Sequence, residues 1–168
     1  MILNLPINSS YIELTVTGPG NSSLFFENGR IYHNPGCLPT FFPNNIYINN
    51  IKQENINSEY YLNETENIVK LDYNNTLDLK CYFHLCSNIT KIDFTYFDFS
   101  ILSTNSFFGL FNGCTSLTSI NFANIDTSKI EYMQYMFCNC TSLKSINLSN
   151  FVTTKVISMN RIFESCED

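Results

Sequence analysis

The stretch FFGLFNGCTSLTSINFANIDTSKIEYMQYMFCNC, residues 107–140, carries the same eight-residue pattern at both ends. FFGLFNGC (107–114) and MQYMFCNC (133–140) each read as a large apolar residue, two spacers, an apolar residue, Phe, two spacers and Cys. The pattern recurs on either side, as LKCYFHLC at 79–86 and MNRIFESC at 159–166. The cysteines fall at 86, 114, 140 and 166, giving steps of 28, 26 and 26 residues, with a two-residue insertion near Ile101-Leu102 in the first step. Repetition at such a period predicts stacked coils, because one unit can bury its apolar side only against the next.

Between the blocks lies a second repeated unit: ITKIDFTYF (89–97), LTSINFANI (117–125) and LKSINLSNF (143–151). Alternate side chains of each core fall on one face, as a short strand requires. Each coil then turns, at Asp98, at Asp126-Thr127-Ser128 or at Thr153-Thr154, and enters the next block. Met133, Met136, Phe137 and Cys140 are spaced to line one side of a short helix or 3₁₀ segment. If the three strands stack in parallel register, their outward residues form a polar platform of Lys91, Asp93 and Thr95, then Ser119, Asn121 and Ala123, then Ser145, Asn147 and Ser149. An exposed solenoid face of this kind is the usual binding surface.

The first 76 residues read differently. All five Pro and four of the six Gly lie before residue 44. Ile12, Leu14 and Val16 alternate with polar residues and then meet Gly18-Pro19-Gly20, the pattern of a strand and its turn. Leu24-Phe25-Phe26, Arg30-Ile31-Tyr32 and Ile68–Tyr73 are further candidate strands. Ile46-Tyr47-Ile48 and Ile51-Lys52-Gln53 flank Asn49-Asn50 as a tight hairpin, since Asn tolerates positive φ. The chain therefore divides into a β-rich N-terminal cap region, 1–76, and a run of about three coils, 77–168. Cys166-Glu167-Asp168 falls in mid-coil without a capping sequence, which predicts a piece of a longer repeat array.

Residues 107–166 resemble the BspA-type leucine-rich repeats of bacterial and protist surface proteins, in their 26-residue form with M-F-x-x-C and D-T-S-x-V signatures; the likeness is weaker over 77–106. This chain departs at Val152, where Asp is expected, and at Asn121 and Asn147, where Asp is usual, and its first repeat lacks D-T-S. The resemblance implies an α/β leucine-rich-repeat solenoid, with short parallel strands alternating with short α or 3₁₀ helices. It also implies a cell-surface or extracellular setting and a non-catalytic role in protein binding or cell adhesion, with a protein or glycan partner on the platform. The alternatives are a structural segment of a longer array, or an intracellular scaffold, since MILNLPINSS lacks the features of a secretory signal.

Composition bounds these readings. The 168 residues include 24 Asn, 15 Phe and 10 Tyr but one Ala and no Trp, a balance that favours strands and turns over long helices. Codon bias of an AT-rich genome accounts for much of the Asn. The formal net charge is −6 and the basic residues do not cluster, which argues against nucleic-acid binding. No run of about 18 apolar residues is present to insert in a bilayer.

Four of the seven cysteines share one repeat position, where ladder side chains point the same way, so buried thiols acting as small hydrophobes are expected there. Cys81-x-x-His84-x-Cys86 and Cys138-x-Cys140 lack the paired spacing of a structural zinc site, and no metal or other cofactor is expected. Cys37 stands apart, with Cys81 as one partner that the sequence leaves open. With two His, and no nucleophile-elbow, P-loop or H-E-x-x-H motif, an enzyme is not expected. The seven N-x-S/T sites exceed the number expected from composition too slightly to argue for a glycosylated chain.

Overall fold

Ile12, Leu14 and Val16 form the buried side of strand β1 (Ser10–Thr17), and this strand organises the chain. The computed structural model describes residues 10–25, 37 and 42–166. Among these, the further strands are β2 (Gly20–Ser23), β3 (Asn45–Ile48), β4 (Ile51–Lys52), β5 (Glu59–Leu62), β6 (Glu66–Tyr73), β7 (Ile89–Asp93) and β8 (Ser119–Asn121). Six of them make one mixed sheet in the order β4-β3-β6-β1-β7-β8, while β2 and β5 form a separate pair. All neighbours in the large sheet are antiparallel except β7 and β8. One sheet thus joins strands from both sides of residue 76.

The expected hairpin forms at β3–β4, with Asn49 and Asn50 at φ 50° and 66°, the left-handed pair that a two-residue hairpin turn demands. At Gly18 a Cβ would collide with the Glu64 carbonyl oxygen, so only Gly fits the turn after β1. The strand expected at Leu24-Phe25-Phe26 is displaced: β2 ends at Ser23, and Leu24 and Phe25 bend inward to be buried. Phe26 and the strand expected at Arg30-Ile31-Tyr32 lie outside the described residues. Strand β5, whose polar surroundings hide its alternation, was not foreseen.

The expected short helices are replaced. No α-helix occurs among the described residues, and the 3₁₀ segment Phe99–Ile101 sits at the two-residue insertion, capped by Asp98. The four blocks are ladders of turns. Each has two residues in the left-handed region: Cys81, Gly109, Tyr135 and Arg161 at φ 54–58°, then Leu85, Gly113, Asn139 and Ser165 at φ 57–79°. A left-handed residue at every fourth position is incompatible with a continuing right-handed helix.

In return, successive N–H groups alternate between two destinations. Tyr82, His84 and Cys86 N donate to carbonyls three residues back in their own block. Cys81, Phe83 and Leu85 N donate to Phe108, Leu110 and Asn112 O of the next, at 2.8–2.9 Å. The scheme repeats from 109, 111 and 113 to 134, 136 and 138, and from 135, 137 and 139 to 160, 162 and 164.

The apolar pattern fills the space behind this ladder. Phe83, Phe111, Phe137 and Phe163 stack almost parallel, with centroids 5.9, 5.5 and 5.2 Å apart, in the range where aromatic pairs add roughly 0.5–1.5 kcal/mol beyond their burial. Three of the four repeated thiols also bond across blocks besides filling volume. Cys114, Cys140 and Cys166 Sγ donate to Phe83, Phe111 and Phe137 O, at 3.0, 3.2 and 2.9 Å. Burial pushes the Cys114 thiol well above its ordinary value and Cys140 up to about 12, which keeps them protonated for that role. Cys37 and Cys81 are joined in a disulfide that ties the N-terminal region to the first block.

The third expected strand, within 143–151, does not form. Its residues have the core on one side only. Leu148 and Phe151 are half-buried, whereas the corresponding Phe94, Phe97, Phe122 and Ile125 are buried.

Candidate functional site

The polar face of the large sheet is assembled from both halves of the chain. Parallel pairing sets Lys91 beside Ser119 and Asp93 beside Asn121, while antiparallel pairing sets Thr15 beside Lys91 and Glu13 beside Asp93. Glu13, Thr15, Lys91, Asp93, Ser119 and Asn121 line a groove of about 320 Å³ on this face. Lys70 on β6 reaches Glu13 at 3.4 Å and lies 5.1 Å from the centre of the Tyr11 ring. Tyr11 in turn stacks on the exposed Tyr96 at 4.9 Å. Partial burial, followed by the neighbouring Tyr96, Glu13 and Asp93, raises the Tyr11 hydroxyl to about 12, so it remains a donor at neutral pH.

Sequence reasoning found the repeat-borne half of this face and missed Tyr11, Glu13, Thr15 and Lys70. Their alternation along β1 and β6 marked them as outward-facing. Nothing in the sequence indicated that β1 would lie against β7.

The nine residues expected as a platform divide by role. Asp93, Asn121 and Asn147 each accept a hydrogen bond from the backbone N–H two residues on, at Thr95 (2.7 Å), Ala123 (3.1 Å) and Ser149 (3.0 Å). They close side-chain turns, a task that needs only a carbonyl or carboxylate oxygen, which explains why Asn serves where Asp is usual. Asn121 also donates Nδ2 to Asp93 Oδ1 (3.2 Å) and Thr95 Oγ1 (2.9 Å), linking β8 to the end of β7. These residues are framework as well as surface.

Lys91 and Ser119 are exposed beside them. Ser145, Asn147 and Ser149 are exposed too, but no strand pairing joins them to β8. The turn residue Val152 lacks the carboxylate that Asp126 presents to Ser128 N (2.9 Å); instead, buried Thr127 accepts Val152 N (2.7 Å) and donates to Val152 O (3.1 Å).

Of the residues considered for metal or catalysis, Cys81 is held in the disulfide and His84 is half-buried, with Nδ1 2.9 Å from Asn112 O. Desolvation lowers the His84 pKa, favouring the neutral ring. His33 lies outside the described residues. Among the described residues, no group of three or more His, Cys, Asp or Glu converges on a possible metal position.

A mixed sheet whose outer face carries a polar groove defines the class: a mostly β domain. Residues 50–168 match the family described as Mycoplasma protein of unknown function, DUF285, and the chain belongs to that family. The match starts in the β3–β4 turn, so β4, β5 and β6 fall within it along with all four blocks. No curated protein and no solved structure matches the chain.

Proposed function

We propose that this chain is a non-catalytic binding or adhesion module whose partner, a protein or glycan, engages the exposed face of the large sheet. The observation that carries the reading is the groove lined from β1, β7 and β8, because three strands from two regions converge on it with unlike polar groups. In this reading the four blocks are coils of a leucine-rich-repeat-like solenoid and residues 1–76 act as its cap. A surface or extracellular location is supported by the Cys37–Cys81 disulfide, which persists in an oxidising compartment, and by the resemblance to surface repeats.

The test uses Lys91→Glu and Ser119→Arg, which change the groove without removing a side-chain turn. Beads coated with the full chain should adhere to an immobilised panel of extracellular-matrix proteins and glycans. The double variant should lose most of that adhesion at an unchanged melting temperature. Equal adhesion by the two proteins would sink the proposal.

A second reading, a segment of a longer array, is favoured by the last block. Arg161, Phe163 and Ser165 N, counterparts of the donors that cross between the earlier blocks, find no acceptor among the described residues. Beside them Ile157, Met159 and Phe163 are 68%, 48% and 42% exposed. A further coil presenting carbonyls at the same spacing would cover both features.

A further inference from the structure

A second groove, of about 400 Å³, lies beside the turn ladder and away from the sheet-face groove. Its lining includes Asp78, Lys80, Thr104, Asn105, Tyr132 and Gln134. Stacking brings these residues together from three successive coils. Thr104 Oγ1 donates to Asp78 Oδ1 at 2.9 Å, and a parallel bridge pairs Ser106 with Tyr132.

The backbone here is already committed. Asn105 O accepts from Glu131 N (2.8 Å) and Tyr132 N (3.3 Å), and Phe107 N donates to Tyr132 O (2.8 Å). A peptide adding as a strand would need those groups, so recognition falls to side chains.

The side chains present a particular chemistry. The amides of Asn105 and Gln134 make no hydrogen bond among the described residues. Gln134 Oε1 is moreover buried without a donor, an unfavourable state that a ligand hydroxyl would relieve. Asp78 and Lys80 balance in charge, which disfavours a strongly ionic ligand. Phe108 also lines the groove, with Lys80 Nζ 5.7 Å from its ring centre, and the Tyr132 side chain is 37% exposed. Neutral polar groups flanked by aromatic rings suit a molecule that has hydroxyls around its edge and apolar C–H faces.

We propose that this groove binds a neutral saccharide, with Asn105 and Gln134 reading its hydroxyls and Tyr132 meeting its apolar face. The site is distinct from the sheet-face groove, and its test does not depend on that reading.

The experiment is saturation-transfer NMR of the full chain against glucose, galactose, N-acetylglucosamine and their linear trimers. At least one sugar should receive saturation and shift the Gln134 side-chain amide signals. Gln134→Leu and Asn105→Ala should each weaken it tenfold or more, while Lys155→Glu, at an exposed position outside both grooves, binds like the parent. Gln134→Leu should melt no lower than the parent, because it removes a buried group that lacks a donor; were it to unfold, Asn105→Ala would carry the comparison alone. Saturation of none of the six sugars would overturn the proposal. So would binding that survives the folded groove variants, or binding that Lys155→Glu abolishes.

Discussion

The two sides of the repeated half behave differently along the chain. On the strand side, pairing shrinks from five residues in β7 to three in β8 and disappears at 143–151. On the turn side, the same inter-block hydrogen bonds persist from Cys81 to Glu164. Strand β7 has β1 on one flank and β8 on the other, whereas among the described residues no strand pairs with the third row. The turns are bonded through alternate amides and need only the neighbouring block. Regular bonding is therefore carried from block to block by turns that are neither helix nor strand.

The largest way to break this contrast is to hollow the turn side at its centre. Phe111 is fully buried between Phe83 and Phe137, so Phe111→Ala should cost about 3–5 kcal/mol in urea unfolding. Leu148→Ala, on the half-buried third row, should cost clearly less. Equal losses would mean that both sides share one core to the same extent. Next in size, Cys37→Ser opens the link between the N-terminal region and the first block, across a sequence separation of 44. Under non-reducing conditions the denaturation midpoint should fall by the equivalent of roughly 2–4 kcal/mol, and reductant should then have no further effect.

A smaller test separates the two halves of the turn rule. Gly113 has φ 79°, and a Cβ there would lie 2.6 Å from Leu85 Cδ2, so Gly113→Ala should destabilise by about 1–2 kcal/mol. Asn139→Gly, at the equivalent left-handed position, should leave the melting temperature unchanged or raise it slightly. A destabilising Asn139→Gly would show that side-chain contacts, rather than φ, dominate at this position.

The smallest effect is electrostatic. Hydrogen bonds from the Ser128 side chain and backbone hold the Asp126 carboxyl below its ordinary 3.8. A depressed folded-state pKa contributes stability above 3.8 that is lost as pH falls through the lower folded value. Urea midpoints between about pH 5 and about pH 2.5 should fall slightly more for the parent than for Asp126→Asn, which keeps an acceptor without titrating. Identical slopes would remove Asp126 from the acid response.

Much of the scaffold was legible because hydrophobic spacing reports which side chains share a face. The alternation in β1 and β6, the Asn-Asn hairpin and the phase of the four Phe-x-x-Cys blocks all follow from it. The same information misled at Met133, Met136, Phe137 and Cys140. Spacings of three and four place residues on one side of a helix, but they do so equally on a ribbon of turns. Only φ at Tyr135 and Asn139 separates the two, and Tyr does not announce a left-handed conformation as Gly109, Gly113 and, more weakly, Asn139 do. The sheet-face groove was half visible for another reason: Lys91 and Asn121 are related by the repeat, whereas Glu13 and Thr15 join them through a pairing 75 or more residues away in sequence.

The backbone hydrogen bonding between blocks runs one way, which gives the ladder two unlike ends. Each block donates alternate backbone N–H groups to the block that follows, while the thiols of Cys114, Cys140 and Cys166 donate back to the block before. Loss of a block from the C-terminal side therefore leaves three bare N–H groups on the block before it. Loss from the N-terminal side instead leaves bare carbonyls, so the two ends of the ladder present opposite hydrogen-bonding character.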